Sequence, residues 1–347
     1  MITEDGKGNR ADGDPAEFAS RIESYRQELR LHCYRLLGSP HDAEDLVQET
    51  LLRAWRSRAA FKGQSSLRTW LYTIATNACL DMLKKRPART LPGAAIPEAD
   101  PSLPFAPAWE PASWLEPLPN SWLVETTEDP AAHSIRRESV SLAFLTILHQ
   151  LPPRQRAILL LSDVLDFHAH EVAQLLKLSV PAVNSALHRA RVRLAKQYHA
   201  AEQERGADLP ADAETMALLE RYLQAWEAED IEGLVALIQE DATFTMPPLP
   251  SWYSGKEAIR VALSQRIFAE EAQRRWSLSP TGANGRPAFA MYRAAGVGGP
   301  LRAFGMQVLA LEATASGVLI ADMTTFLDSS LFTSFGFPLE LPEGASG

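Results

Sequence analysis

Between Ser39 and Arg86 the sequence carries two amphipathic helical patterns, separated by Phe61-Lys62-Gly63-Gln64-Ser65, which breaks the period. The first has a defined start: Ser39 as cap, Pro40 in the first turn and Asp42 three residues after the cap. Val47, Leu51, Ala54 and Trp55 then share one stripe. Asp45, Gln48, Glu49 and Leu52 share another, an acidic ridge with one apolar member. The second helix begins at Ser65 or Ser66, and Leu67, Leu71, Ile74, Ala78 and Met82 form its core stripe. Trp70, Thr73, Asn77 and Asp81 line a different face, and Lys84-Lys85-Arg86 closes the helix. Two apolar stripes at this spacing, joined by a short loop, fit a small helical bundle.

The polar surfaces left over are chemically distinct. An acidic helix ridge suits a basic protein partner. A face with an aromatic ring, a hydroxyl and an amide, ending in cations, suits nucleic acid: the ring stacks on a base, the amide reads base edges, the cations meet phosphates. Spacing alone leaves open an ordinary bundle with a solvated face.

Asp42-Ala43-Glu44-Asp45-Leu46-Val47-Gln48-Glu49-Thr50, Ala54-Trp55, Phe61 and the run from Ser65 to Asn77 resemble, without gaps, region 2 of a bacterial RNA polymerase sigma factor. The compact extracytoplasmic-function type, group 4, fits best. The resemblance implies that Asp45, Gln48 and Glu49, with Trp55 nearby, dock on the clamp helices of the polymerase core. It implies that Phe61, Lys62, Gln64 and Ser65 of the loop, with Arg68, Trp70, Thr73 and Asn77 of the helix, hold unpaired bases of the -10 element. Lys84, Lys85 and Arg86 would contact phosphates.

A chain of 347 residues with 46% hydrophobic content is long enough for two or three domains with real cores. It has no apolar run of about 18 residues that could span a membrane. Residues 1–17 read as a polar, flexible N-terminus without the apolar centre of a signal peptide, so a cytoplasmic protein is expected. Cys33 and Cys79 fall inside expected helices and read as buried reduced thiols rather than a disulfide or metal pair. The net charge of -9 argues against indiscriminate DNA binding. A sigma factor tolerates it, since it acts while held on polymerase.

Phe18, Ile22, Tyr25, Leu29 and Cys33 predict one helix from Phe18 to Leu37, closed by Gly38, which completes a bundle over residues 18–86. Residues 87–134 are Pro-rich and aperiodic, with seven carboxylates (Glu98, Asp100, Glu110, Glu116, Glu125, Glu128, Asp129) against one cation, Arg89: a linker. In sigma factors the equivalent segment threads toward the active centre, where an acidic strand can occupy a path built for RNA. The alternative is a flexible tether, but Trp109, Trp114, Leu115, Trp122 and Leu123 are too apolar for a pure tether and call for a packing partner, the C-terminal domain being one candidate.

In residues 135–199, Leu142, Leu145 and Leu148 mark a helix, and Pro152-Pro153 opens another through Ile158, Leu159 and Leu161. A helix-turn-helix follows: His170 to Leu176, a turn at Lys177-Leu178-Ser179, and a long helix from Val180 to about Lys196. Val183, Leu187, Ala190 and Leu194 point inward, while Asn184, Ser185, His188, Arg189, Arg191 and Arg193 lie largely off that stripe and suit the major groove. Leu151 to Arg156 and Ser179 to Arg193 resemble sigma region 4, which reads the -35 element and meets the polymerase flap. Lys177 stands where the family usually has Gly; a left-handed lysine costs on the order of 1 kcal/mol, so a turn slightly different from the family's is expected, with the motif kept. His168, His170 and Glu171 read as a helix cap rather than a metal site.

After a polar linker, 200–213, residues 214–332 place helices first and strands second, which implies α+β. Leu218, Leu219, Tyr222, Leu223 and Trp226 set one helix; Leu234, Val235, Leu237 and Ile238 suggest a second; a third opens at Gly255. Strands are expected at Ala242 to Met246, near Trp276, at Pro287 to Ala294, Leu301 to Glu312 and Val318 to Leu327. Ala225-Trp226, Asp241 to Phe244 and Tyr253 to Ile259 resemble the SnoaL-like branch of the nuclear transport factor 2-like fold, a curved sheet around a cone-shaped cavity. Residues 333–347 form the tail. Relatives of that fold include enzymes, but Asp241 and Asp322 are acid/base candidates only by residue type, and Arg293 can equally be surface.

The expected architecture is therefore multidomain: two all-α sigma domains, a region 2 helical bundle and a region 4 helix-turn-helix, plus an α+β cone-shaped SnoaL-like domain. The expected function is a sigma factor that binds RNA polymerase core and directs initiation, regulated by its C-terminal domain. Its partners would be core polymerase, promoter DNA and a small-molecule ligand in the C-terminal cavity, with no cofactor, no metal, no membrane and no catalytic residues. The competing reading is a one-component helix-turn-helix regulator with a ligand-sensing C-terminal domain.

Overall fold

The computed structural model describes residues 15–341, apart from 62, 64, 87–88, 95, 111–113, 124–137, 203–212, 270–274, 295–298 and 316, with side chains left out at 94, 197–202 and 275. The chain divides into two compact units. One joins Met1–Arg89 to Glu125–Tyr198; the other joins Thr90–Val124 to His199–Gly347.

The first unit is helical. Its described helices are α1 (Pro15–Glu23), α2 (Arg26–Leu37), α3 (Pro40–Arg56), α4 (Leu67–Leu83), α5 (Leu142–His149), α6 (Pro153–Leu159), α7 (Ala169–Leu176) and α8 (Val180–Glu202). The expected single helix over 18–37 is two. Ser24 Oγ donates to the Arg21 carbonyl at 2.8 Å, and the Tyr25 amide reaches back three residues to Ile22 at 3.2 Å. A serine hydroxyl competing for backbone partners ends α1 there. Phe18, Ile22, Leu29 and Cys33 nevertheless remain on the buried side.

The predicted caps are present. Gly38 closes α2 at φ 74°, its amide 2.7 Å from the Tyr34 carbonyl. Ser39 Oγ accepts from the Asp42 amide at 3.2 Å, and Ser66 Oγ from the Thr69 amide at 3.0 Å. Helix α4 is buried well beyond its predicted stripe, at Tyr72, Ala75, Thr76 and Cys79 as well as Leu67, Leu71 and Ala78. It is contacted by α2 and α3 and also by α7. Cys33 and Cys79 are buried free thiols, and burial next to Cys33 pushes the Cys79 thiol well up.

Two buried histidines hold this unit together in their neutral form. His32 Nε2 lies 2.8 Å from Thr76 Oγ1, and burial, aided by the charges of Arg35 and Arg68, lowers its pKa to about 3. His149 Nδ1 faces a guanidinium nitrogen of Arg156 at 3.2 Å, so this ring nitrogen can only accept. Nε2 therefore carries the proton and donates to the Arg35 carbonyl at 3.1 Å. Burial and the Arg156 charge hold His149 well below the usual range too. In the unfolded chain both imidazoles titrate near 6.5, so on acidification the unfolded state binds more protons than the native one. Their contribution is complete above pH 6.5 and is lost as pH falls, for His32 until about pH 3, at about 1.4 kcal/mol per pH unit for each histidine still neutral in the folded chain. We expect urea midpoints measured at pH 7 and pH 5 to fall accordingly, and His32→Phe to lower that slope by about half. An unchanged slope in the variant would remove His32 from this role.

The second unit is a mixed sheet with helices on it. Helices α9 (Ala213–Glu227), α10 (Ile231–Ala236), α11 (Lys256–Ala262) and α12 (Leu331–Ser334) accompany strands β1 (Ile238–Thr245), β2 (Trp252–Ser254), β3 (Arg275–Ala283), β4 (Arg286–Ala294), β5 (Leu301–Thr314), β6 (Gly317–Phe326) and β7 (Glu340–Leu341). The sheet order is β2-β1-β6-β5-β4-β3, with β7 on β5; β1 and β6 run parallel and the other pairs antiparallel. Tyr222, Trp226, Phe244, Ile259 and Leu309 lie in its core. Ile238, read as helical, opens β1 instead. The tail is part of the domain: Phe337 packs on the fully buried Phe332, Tyr292 Oη donates to the Pro338 carbonyl at 2.9 Å, and β7 pairs with the start of β5.

The linker packs on this unit. Trp114, Leu115, Leu118, Trp122 and Leu123 are buried. Thr90 pairs with Trp114 and Pro119 with Ala283. The seat is the β3–β4 hairpin, whose turn residues Asn284 and Gly285 have φ 54° and 78°. Asn284 exchanges two 2.8 Å bonds with the Leu118 backbone, and Asn120 Oδ1 accepts from the Gly285 amide at 2.8 Å. Gly282 has to be glycine for this contact, because a Cβ there would stand 2.2 Å from Asn120 Nδ2.

Candidate nucleic-acid interface

The acidic ridge is formed as the spacing predicts. Asp45, Gln48, Glu49 and Leu52 are exposed on α3, while Val47, Leu51 and Ala54 are buried beneath them. Leu52 keeps 54% of its surface open, an apolar residue set among carboxylates. Glu49 pairs with Arg53 at 2.5 Å. Trp55 is half-buried: it packs on Phe18, and the Arg58 guanidinium lies 4.5 Å from its ring.

Phe18 also contacts Trp70, so one residue of α1 bridges Trp55 of α3 and the Trp70 face of α4. Phe61 is buried, its ring 5.0 Å from that of Trp70. Ser65 is half-buried, and Lys62 and Gln64 lie outside the described residues. Along α4 the polar face is engaged. Thr73 Oγ1 donates to the Thr69 carbonyl at 2.7 Å. Asn77 Nδ2 donates to the Thr73 carbonyl at 2.7 Å and to Leu175 of α7 at 3.4 Å. Arg68 sits 4.6 Å from the Phe167 ring and 5.2 Å from Tyr72, and donates to the Leu165 carbonyl at 3.1 Å. The amide and guanidinium that would read DNA are thus spent on the segment from Leu165 to Leu175. The basic end is divided. Lys84, Lys85 and Arg86 are exposed, Lys84 pairing with Asp81 at 2.7 Å. Asp42 takes Arg86 at 2.5 Å and Arg89 at 2.9 Å, and Arg89 is buried, so the linker's one cation belongs to the helical unit.

The helix-turn-helix is open. Val183, Ala186 and Ala190 are buried, and Leu187 and Leu194 are half-buried. Asn184, Ser185, His188, Arg189, Arg191 and Arg193 are all exposed. Arg189 is steadied by Ser185 Oγ at 3.1 Å. Arg191 differs from the rest: both carboxylate oxygens of Asp163 hold it, at 2.6 and 3.0 Å, and that pairing raises its pKa. Lys177 adopts the left-handed conformation itself, φ 53° and ψ 50°, so the turn is kept where a departure from it was expected. Glu171 accepts from the His168 amide at 2.9 Å, a cap.

In the second unit the sequence candidates separate. Asp241 is exposed where β1 and β6 shift register. Asp322 accepts from Thr243 and, at 2.9 Å, from Thr324. Odd spacing from Thr325 puts it on the opposite sheet face from the cavity. Arg293, left open between cavity and surface by the sequence, lines the cavity, 4.4 Å from the Phe304 ring. Sequence reasoning missed Asn284 and Arg266, which hold the linker. The Asn-Gly pair at 284–285 was the available signal for the first.

A helical ridge over a bundle, a helix-turn-helix with a bare recognition helix, and a cavity-bearing mixed sheet together define a sigma factor with an added C-terminal domain. Family models match accordingly: Sigma-70 region 2 at residues 21–89, Sigma-70 region 4 at 141–194 and the SnoaL-like domain at 219–318. The chain belongs to the extracytoplasmic-function sigma factors of bacterial RNA polymerase. It is 45% identical over 345 residues to the ECF RNA polymerase sigma factor SigG of Mycobacterium tuberculosis, covering 97% of this chain and 88% of SigG. SigW of Bacillus subtilis is 27% identical over 185 residues, 53% of this chain and 90% of SigW. The crystal structure of M. tuberculosis SigJ aligns with a TM-score of 0.55 at 23% identity over 92% of this chain and 99% of that one, a likeness of fold. Among the described residues no helix is long and apolar enough to cross a membrane.

Proposed function

We propose that this sigma factor docks on core polymerase through Asp45, Gln48, Glu49, Leu52 and Trp55. The exposed face of α8 reads the -35 element, and the Phe61–Ser65 loop with α4 reads the -10 element. The observation that carries this is the contrast along α8: Val183, Ala186 and Ala190 are buried, while Asn184, Ser185, His188, Arg189 and Arg193 are bare. A helix so divided offers early residues to base edges and later arginines to phosphates. Two substitutions test it in transcription assays with purified core. Arg189→Ala weakens -35 recognition by about 1–3 kcal/mol and relaxes promoter choice at the contacted base. Asp45→Arg lowers core affinity at least about tenfold, roughly 1.4 kcal/mol, by setting like charge against a basic partner. Promoter choice that survives the first change, or core affinity that survives the second, overturns that assignment.

The -10 face requires a further step. Arg68 and Asn77 are engaged with Leu165 and Leu175 of the same unit. Regions 2 and 4 separate when the chain loads on polymerase, and that frees both side chains. The C-terminal domain regulates by holding the linker, which then cannot thread toward the polymerase active centre. The chain supplies no catalytic group; polymerase makes the RNA.

A further inference from the structure

The C-terminal cavity is closed by the linker's own Phe105. That side chain is half-buried against the core and forms part of the cavity lining. It is held from outside: Arg266 donates to the carbonyls of Ser102 and, at 3.1 Å, Leu103. The amides of Ala99, Ala106 and Trp109 donate to Trp252, Ser251 and Pro248 at 3.0, 3.2 and 2.9 Å. Beneath the ring about 60 Å³ remains, the room of about two waters.

The lining has one chemical character. Aromatic rings dominate it, among them Trp226, Phe244, Trp276 and Phe304. Its polar side chains are Arg266, Arg293 and Thr325, whose Oγ1 already accepts from Gln307 Nε2 at 2.8 Å, beside the indoles of Trp226 and Trp276. Both indoles are buried, with 2% and 3% of their surface open, and among the described residues neither N–H has a hydrogen-bond partner. Two buried unpaired donors are costly, and an acceptor brought within their reach removes that cost. No carboxylate lines the cavity among the described residues.

We propose that this cavity is a binding site for a small aromatic carboxylic acid, and that the ligand and Phe105 exclude one another. The acid's ring takes the space of the Phe105 ring. Its carboxylate accepts from the indole N–H groups and meets Arg293. Entry therefore detaches the turn at Ser102-Leu103 and loosens the linker. This deepens the linker-holding reading above and rests on it.

The test uses the full chain with benzoate, salicylate and indole-3-acetate, against hexanoate and benzamide as controls lacking the ring and the charge. Binding is followed by tryptophan fluorescence and calorimetry, and the linker by exchange of the Ala99, Ala106 and Trp109 amides. The aromatic acids are expected to saturate and the controls not. Phe105→Ala should tighten binding about tenfold, because the competing occupant is gone. Arg293→Met should abolish the preference for the acid over its amide. The three amides should exchange faster with ligand bound. No saturable binding to wild type or Phe105→Ala overturns the site. Binding that leaves Phe105→Ala no tighter and the amides unmoved overturns the exclusion. Amides unprotected in the free protein overturn the linker-holding reading itself, separately from the ligand site.

Discussion

Arg156→Met is expected to destabilise the helical unit by roughly 2–4 kcal/mol, the cost of leaving buried carbonyls without a donor. The guanidinium is 1% exposed and reaches the Leu36 carbonyl at 2.5 Å, His149 at 2.9 Å and Leu151 at 3.4 Å, besides the His149 ring. Burial lowers its pKa to about 10, which still leaves it charged at neutral pH. Removing it strands several buried carbonyls, each at about 1–3 kcal/mol before water or small movements recover part of the loss. Methionine fills the volume, so the cost isolates the hydrogen bonds. Lysine should rescue little, since one ammonium cannot reproduce a planar fork. Urea unfolding of the full chain, followed by its helical signal, measures the change. A loss below about 1 kcal/mol would falsify the assignment of Arg156 as the pin between α2 and α6.

The second large effect is expected at Leu118→Asp. Leu118 is fully buried and hydrogen-bonded in both directions to Asn284. A buried leucine contributes about 1.5–3 kcal/mol, and a carboxylate in its place must reach water. The linker should therefore leave its seat rather than unfold the sheet. The amides of Leu115, Leu118 and Asn284 should then exchange on the order of tenfold to a hundredfold faster, while those of β5 and β6 keep their protection. If all of these amides accelerate together, the linker is part of the fold's cooperative core and not a detachable strap.

What the sequence could convey depended on the range of the interaction. Caps, stripes and turns are local, so Ser39, Ser66, Gly38 and the buried side of α8 were readable from a few neighbours. Most strands of the second unit were readable for the same reason. Docking was not. Periodicity marked Trp70, Thr73 and Asn77 as a separate face of α4, but could not reveal that α7 contacts this helix. Arg191 has a place on the exposed helix pattern, yet its partner Asp163 lies 28 residues away. Asp322 looks like a catalytic carboxylate by type, and only strand parity turns it away from the cavity. The aromatic cluster of the linker announced that it needed a partner; the seat at Asn284 and Gly282 came from the folded sheet.

The seat of the linker also governs how the protein can be dissected. Residues 90–124 precede region 4 in the chain but complete the unit formed by residues 199–347. Cutting after Tyr198 would leave Trp114, Leu115, Leu118 and Trp122 in the fragment with nothing to cover them, and such a fragment is prone to self-association. Its behaviour in solution would report a naked apolar strip instead of an uninhibited sigma factor. A faithful dissection replaces those side chains with polar ones in the same step.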